Sequence, residues 1–361
     1  MTPAVSFVVP CYKLARSLYR LIVWQPIYKS KYTVRRCLSR KDASQQISKI
    51  DSSPVPGNPQ EIRLFMAVRN ESLRLPFILE HYFSRGVDRI FVIDNDSSDG
   101  TASIVLAKKN AHLFYTKDKY AHQGYWIDLL LRRYGVGHWC LIIDADEVLI
   151  YPNYERFTLR HLCSFLDKES SNAMDCVLVD MYPDKSLDAI AYKKGTDPLL
   201  VASWFDKDSY TTGMGGPRYL NDENIVYEGP ERIFGGMRKR IFGVSACLSK
   251  FPLIKFNKSM FLCAGAHFIH HARVSDIRGA LLHFKYLDNF KENVQEEVTR
   301  EEHWHNGAEY KEYLRVLNRI PDLNFCSSSS EKFTDSNQLV TLGIMKTSAK
   351  LDVFTRARVT Q

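Results

Sequence analysis

Asp88-Arg-Ile-Phe-Val-Ile-Asp-Asn-Asp-Ser-Ser-Asp-Gly-Thr101 decides the fold. A short apolar run stops at an acid, and a turn-rich polar cluster follows. Asp99-Gly100-Thr101 then supplies the groups that open a helix, expected through Lys108. The same grammar repeats on either side. Arg63-Leu-Phe-Met-Ala-Val68 reads as a buried strand, and Leu75 to Tyr82 as a helix with Leu75, Ile78, Leu79 and Tyr82 inward. Leu113-Phe-Tyr115 is a third strand, Tyr125 to Tyr134 a helix, and Trp139-Cys-Leu-Ile-Ile143 another strand. Strands alternating with helices predict an α/β fold: a mostly parallel sheet with helices on both faces. Ligands of such sheets bind at the carboxyl ends of the strands. Those ends carry Arg69-Asn70-Glu71, Asp94 to Thr101 and Asp144-Ala-Asp-Glu147, which are expected to share one rim.

The whole chain has 361 residues, 45% hydrophobic and 25% charged, which excludes a disordered, collagenous or coiled-coil chain. No apolar run approaches the roughly 20 residues of a spanning helix, so neither a transmembrane nor a secreted protein is expected. Residues 1–50 hold ten Lys/Arg against one acid, a net +9; the other 39 bases and 40 acids leave −1. The basic balance therefore belongs to an arm, and nucleic acid is not expected as a partner. The eight cysteines include no Cys-x-x-Cys pair and read as free thiols of a reducing cytoplasm.

Three regions are expected: an arm and linker (1–60), a catalytic domain (61–320) and a tail without an interpretable pattern (321–361). Leu14 to Trp24 fits a short basic amphipathic helix. Asp51 to Pro59 is a linker by composition. Ser6-Phe-Val-Val-Pro-Cys-Tyr12 imitates an opening strand and is set aside for the better copy at Arg63. The segment between Asp184 and Gly235 reads as long loops on the acceptor side.

Asp144 and Asp146 lie two residues apart past a buried strand, on one side of an extended chain. They are hard oxygen ligands suited to Mg²⁺ or Mn²⁺, and without a cation they repel. Asp94 ends its strand and could accept from the imide N–H of a uracil or another base. His283 is a lone histidine in an apolar strand, which reads as a core residue or a ligand. Lys285, two residues on, would share its face and could meet a diphosphate. His270 and His271 would point apart in a strand and make a poor metal pair. Arg238-Lys239-Arg240 follows two glycines; it reads as a solvated charge run or as cations closing over a diphosphate.

Met66-Ala-Val-Arg-Asn-Glu71, Val92 to Thr101 and Leu141-Ile-Ile-Asp-Ala-Asp-Glu147 together resemble the family 2 glycosyltransferases of GT-A fold. The nearer resemblance is to the branch related to family 92 enzymes. It is carried further by Trp204-Phe-Asp-Lys-Asp208, Gly235-Gly-Met-Arg-Lys-Arg240, Leu248-Ser-Lys-Phe-Pro-Leu253, Leu281-Leu-His-Phe-Lys-Tyr-Leu287 and Glu302-His-Trp304. It spans roughly residues 61–315. The usual Asp-Asp-Gly-Ser is Asp94-Asn-Asp-Ser here, so the second acid is displaced.

The resemblance implies a nucleotide-sugar donor, UDP-linked, and a divalent cation, Mn²⁺ or Mg²⁺. Arg69, Asn70, Glu71 and Asp94 would then hold the base. Asp144 and Asp146 would reach the ribose and the metal, with His283 as a further ligand and Lys285, Arg238 and Arg240 on the diphosphate. Such enzymes invert, with one general base near the acceptor hydroxyl. Glu231 is the first choice, Asp180 the rival and Glu228 the third. The acceptor would be a glycan or lipid-linked glycan of surface polysaccharide assembly, and the setting cytoplasmic. The arm is either a solvated tail or a contact with anionic membrane at its inner face. A nucleotidyltransferase should carry an early Gly-rich loop, and Ala67 to Arg74 has no glycine. A non-catalytic binding protein should have lost an acid of Asp-x-Asp, and both are kept.

Overall fold

A computed structural model describes residues 46–213, 230–263 and 266–359. The basic arm through residue 45, with the expected helix at Leu14 to Trp24, lies outside them, as does Glu228. The centre is a nine-stranded sheet. Its strands, in chain order, include β1 (Ser48–Lys49), β2 (Ile62–Val68), β3 (Arg89–Asp94), β4 (Ala111–Tyr115), β5 (Trp139–Ile142), β6 (Glu147–Ile150) and β7 (Ala173–Asp180). After β8 (Trp204–Asp206), β9 (Tyr210–Gly213) and β10 (Arg232–Gly235) come β11 (Ser249–Lys255), β12 (Phe261–Cys263), β13 (Phe268–His270), β14 (Val274–His283) and β15 (Ser330–Lys332). The order across the sheet is β1-β4-β3-β2-β5-β11-β7-β14-β6. β2, β3, β4, β5, β7 and β14 run one way; β1, β6 and β11 run the other. The sheet is thus mixed but mostly parallel, Rossmann-like, and consistent with a GT-A arrangement.

Alternation along the strands splits the core in two. Leu64, Met66 and Val68 of β2 join Ile90 and Val92 of β3 under Leu75, Ile78, Leu79 and Tyr82 of helix α1 (Leu75–Ser84). Phe65, Ala67, Phe91 and Ile93 face the other way, against Trp126, Ile127 and Leu130 of the helix Gln123–Leu130. Both helices fall where the periodicity places them. A third cluster joins the helices Gly236–Phe242, Phe290–Arg300 and Trp304–Arg319 through Phe242, Tyr286, Phe290 and Tyr313.

Two boundary expectations change. Of the expected tail 321–361, the described residues to 359 do not stand apart: helices Ser336–Thr341 and Ala349–Val359 form there, and Leu339, Ile344, Met345, Leu351 and Phe354 enter the main core. Short amphipathic segments whose partner is a distant face leave little periodic signal. The linker at Asp51 is likewise docked. Ile50 N donates to Leu113 O, and Asp51 accepts from Leu113 N. No helix among the described residues is long and apolar enough to cross a membrane.

Candidate active site

Because β2, β3, β5, β7 and β14 run together, Val68, Asp94, Ile142, Asp180 and His283 all close strands at one rim. In register, His283 stands between Asp180 of β7 and Glu147 of β6. The peptide group after His283 is pinned twice: Met181 N donates to His283 O, and Phe284 N donates to Asp146 O. His283 Nδ1 lies 2.7 Å from Asp180 Oδ1, and Nε2 lies 3.3 Å from Asp146 Oδ2. An ionised carboxylate only accepts, so a ring nitrogen that bonds to Asp180 or Asp146 does so as the donor; Arg238 Nη2 also lies 3.1 Å from Nδ1.

Charge balance at this point is tight. Burial would raise the Asp146 carboxyl, but His283, Arg74 and Lys285 outweigh it and hold it well below the usual range. Burial would lower the His283 imidazole, but Asp146 and Asp180 raise it overall. Asp180 is also drawn far down against its burial, chiefly by Arg238, which reaches both of its oxygens at 2.7 and 2.8 Å. Asp180 is therefore a poor proton acceptor; its carboxylate orients the imidazole.

Asp144 and Asp146 occupy a turn, not an extended segment: Glu147 N donates to Asp144 O. The expectation that both carboxylates share one side of a strand is therefore corrected. Asp146 turns toward His283, while Asp144 Oδ2 accepts from Lys250 Nζ at 2.8 Å and Oδ1 from Gln123 Nε2 at 3.3 Å. Lys250 also donates to Glu147 Oε1 at 2.5 Å.

The first-strand loop is stapled to the second. Arg69 donates to Asn95 O, Asn70 Oδ1 accepts from Ser98 N, and Asn70 N donates to Ser97 Oγ. Asn70 takes φ 51°, a left-handed conformation Asn tolerates. Asp94 is 2% exposed and accepts from Ser97 N, closing the turn. Glu71 pairs with Arg74 through both oxygens, and burial pushes its carboxyl up to about 7. Arg74 reaches on to Phe284 O, tying this loop to the end of β14.

The remaining sequence-predicted residues divide. Lys285 is near Asp146, with its ammonium 4.8 Å from the Tyr310 ring centre and 4.0 Å from Glu309. Arg238 is buried, because Asp180 and Glu309 take its guanidinium; it is not a mobile cation. Arg240 clasps Asp206 at 2.6 Å and belongs to a different cluster. Both arginines thus depart from the diphosphate-closing expectation, and only Lys239 of the run is exposed. The Gly235-Gly236 pair is a fixed bend: a Cβ on Gly235 would lie 2.4 Å from Ser209 O. Glu231 is exposed and sits beside Arg278, five strand positions back from His283, so the structure does not bring it to Asp146.

Sequence reasoning missed Arg74, Lys250 and Glu309 as site residues. Lys250 left one signal, a lysine inside the otherwise apolar Phe-Pro-Leu-Ile strand. Arg74 pairs locally with Glu71, but its reach to Phe284 O lies 210 residues away, and Glu309 meets Arg238 across 71 residues, so neither link to the site shows in local pattern.

Asp146 and His283 are the donor pair facing each other at the rim. Among the described residues no group of three or more His, Cys, Asp or Glu side chains is poised to chelate a metal. A carboxylate and an imidazole whose far nitrogen is held by a second carboxylate nevertheless fit a divalent cation that completes its shell from phosphate and water.

No family profile matches this chain, and no curated protein matches it. Thirty chains of solved structure match. One is mannosyl-3-phosphoglycerate synthase from Rubrobacter xylanophilus, 20% identical, with a TM-score of 0.26, over 35% of this chain and 42% of that one. The match thus spans less than half of that enzyme, and at this level it carries no argument about activity.

Proposed function

We propose that this chain is a glycosyltransferase that moves a sugar from a nucleotide-sugar donor, UDP-linked, to a glycan or lipid-linked acceptor with inversion. The observation that carries the reading is the Asp146–His283–Asp180 arrangement at the carboxyl ends of parallel strands. Asp146 and His283 would hold Mn²⁺ or Mg²⁺, and Asp180 fixes the ring so that Nε2 faces the ion. The cation, when bound, supplies charge stabilisation for a departing diphosphate. Lys285 places a second positive charge beside Asp146 and would meet the same leaving group. Asp144 would reach the ribose. Arg69, Asn70 and Glu71, which tie the first-strand loop to the second, would form the wall of the base site with Asp94, which closes the second loop's turn. The net +9 of residues 1–50 supports a contact between the arm and an anionic membrane.

Thermal melts with a panel of nucleotides and nucleotide sugars, with Mn²⁺, Mg²⁺ or chelator, test the reading. A ligand at 100 times its dissociation constant stabilises by about 2.7 kcal/mol. Metal-dependent stabilisation by one nucleotide family is expected and identifies the donor base. No shift with any nucleotide under either metal overturns the transferase reading.

A further inference from the structure

The turn Asp144-Ala-Asp-Glu147 gathers three carboxylates in four residues, and only one of them meets His283. The other two share an ammonium that the protein itself provides. Lys250 is 6% exposed and lies 2.8 Å from Asp144 Oδ2 and 2.5 Å from Glu147 Oε1. Glu147 is spent: its second oxygen accepts from Asp144 N at 3.1 Å. Asp144 is held from the other side by Gln123, which reaches its other oxygen, although its side chain stays 40% exposed.

The strand is shaped to deliver this cation. β11 shifts register between Lys250 and Leu253 where it pairs with β7. Pro252 falls within the shift, and proline cannot donate to the ladder. A bulge of this kind re-aims a side chain, here Lys250 into the turn.

We propose that Lys250 is a built-in counter-cation for Asp144 and Glu147, and that it confines the divalent cation to Asp146 and His283. This rests on reading the site as metal-assisted. A mobile ion that sought Asp144 would have to displace a tethered ammonium already held by two carboxylates. The Asp146 side offers His283 Nε2 instead, and among the described residues no lysine or arginine makes an ion pair with Asp146. Lys250 is thus a positioning residue that decides how many metal ions the turn accepts.

Calorimetric titration of Mn²⁺ into the full chain tests this, with folding checked by circular dichroism. Wild type is expected to bind one Mn²⁺ per chain. Asp146→Asn should abolish that binding, and Asp144→Asn should leave its affinity within about threefold. Lys250→Met should admit a second Mn²⁺, removed again by adding Asp144→Asn, while Lys250→Arg should keep one. If Asp144→Asn abolishes binding in the wild-type background, Asp144 is a metal ligand and the proposal is overturned; this arm stands even where Lys250→Met does not fold. Where wild type binds one Mn²⁺, a folded Lys250→Met that still binds only one also overturns it. If wild type binds none and Lys250→Met binds one through Asp144, the counter-cation role survives and the metal-assisted reading fails.

Discussion

His283 Nδ1 lies 2.7 Å from Asp180 Oδ1, and the two residues face each other across neighbouring parallel strands. A hydrogen bond in that position fixes both the tautomer and the plane of the ring. Asp180 is in turn clamped by Arg238 from a helix outside the sheet. The orientation of one imidazole is therefore set by three separate segments of chain.

Asp180→Asn should weaken Mn²⁺ binding by about 10–100-fold, the usual effect of losing an outer partner of a ligating histidine. It should also lower the melting temperature, because Arg238 keeps its burial and loses the closer of its two ion pairs. Calorimetric titration and a melt, run on the same preparation, check both.

The pH dependence of the metal-free and metal-bound forms should run in opposite directions. The folded-state pKa of His283 is raised above 6.5. Its contribution to stability is then fully present below 6.5 and lost as pH rises through the raised value. Metal requires the neutral ring, so Mn²⁺ affinity should climb over that same interval. Melts with and without Mn²⁺ at pH 6 and pH 8 should show a gap that widens with pH; a constant gap removes His283 from the ligand set.

Gly235→Ala should destabilise by about 1–3 kcal/mol, since Gly235 holds φ 103° and a methyl group would press on Ser209 O. The bend launches the helix that carries Arg238, so Mn²⁺ affinity should fall as well. Chemical denaturation and the Mn²⁺ titration read the two effects.

Acid should loosen the β1 edge before the rest. Burial holds the His112 imidazole below 6.5 despite Asp51, and hydrogen bonds from Lys49, His112 and Leu113 N outweigh burial to draw Asp51 from 3.8 to about 2. Both folded values are depressed, so both contributions are present above the unfolded pKa and lost as pH falls: His112 from about 6.5 downward, Asp51 between about 4 and 2. Hydrogen exchange at Leu113 N, which Asp51 accepts from, should accelerate over this range once corrected for intrinsic exchange. In Asp51→Asn the part below pH 4 should disappear.

Removing residues 1–45 should weaken binding to anionic vesicles at low salt without lowering the melting temperature, because β1 and Asp51 are kept. Co-sedimentation at two salt concentrations reads this. Unchanged binding would mean the arm's charge serves some other purpose.

Much of this arrangement was legible in the residues. Apolar runs stopping at Asp94 and Asp144 located strands β3 and β5, and their shared direction made part of the rim. Helix α1 was readable because its inward face repeats at helical spacing. Side-chain commitments were not readable. Arg238 looks mobile beside two glycines until Asp180, 58 residues earlier, is found to hold it. Lys250 looks like an accident in a strand until the Asp144 turn is folded over it. Such pairings are fixed by tertiary register, which local pattern does not encode. Residues 321–361 were opaque for a similar reason: each of their helices presents only a few apolar side chains to a face built elsewhere.

That late segment has a consequence for biosynthesis. Lys346 and Arg278 exchange backbone hydrogen bonds beside β14, and Phe354 packs edge-on against Phe157 and Phe165. The strand that carries His283 is thus backed by residues translated more than sixty positions after it. A ribosome-bound chain that has emerged only through β14 holds the acids and the histidine but not their support. Completion of the site should therefore follow synthesis of the Ala349–Val359 helix, and chains stalled before it should be substrates for chaperones.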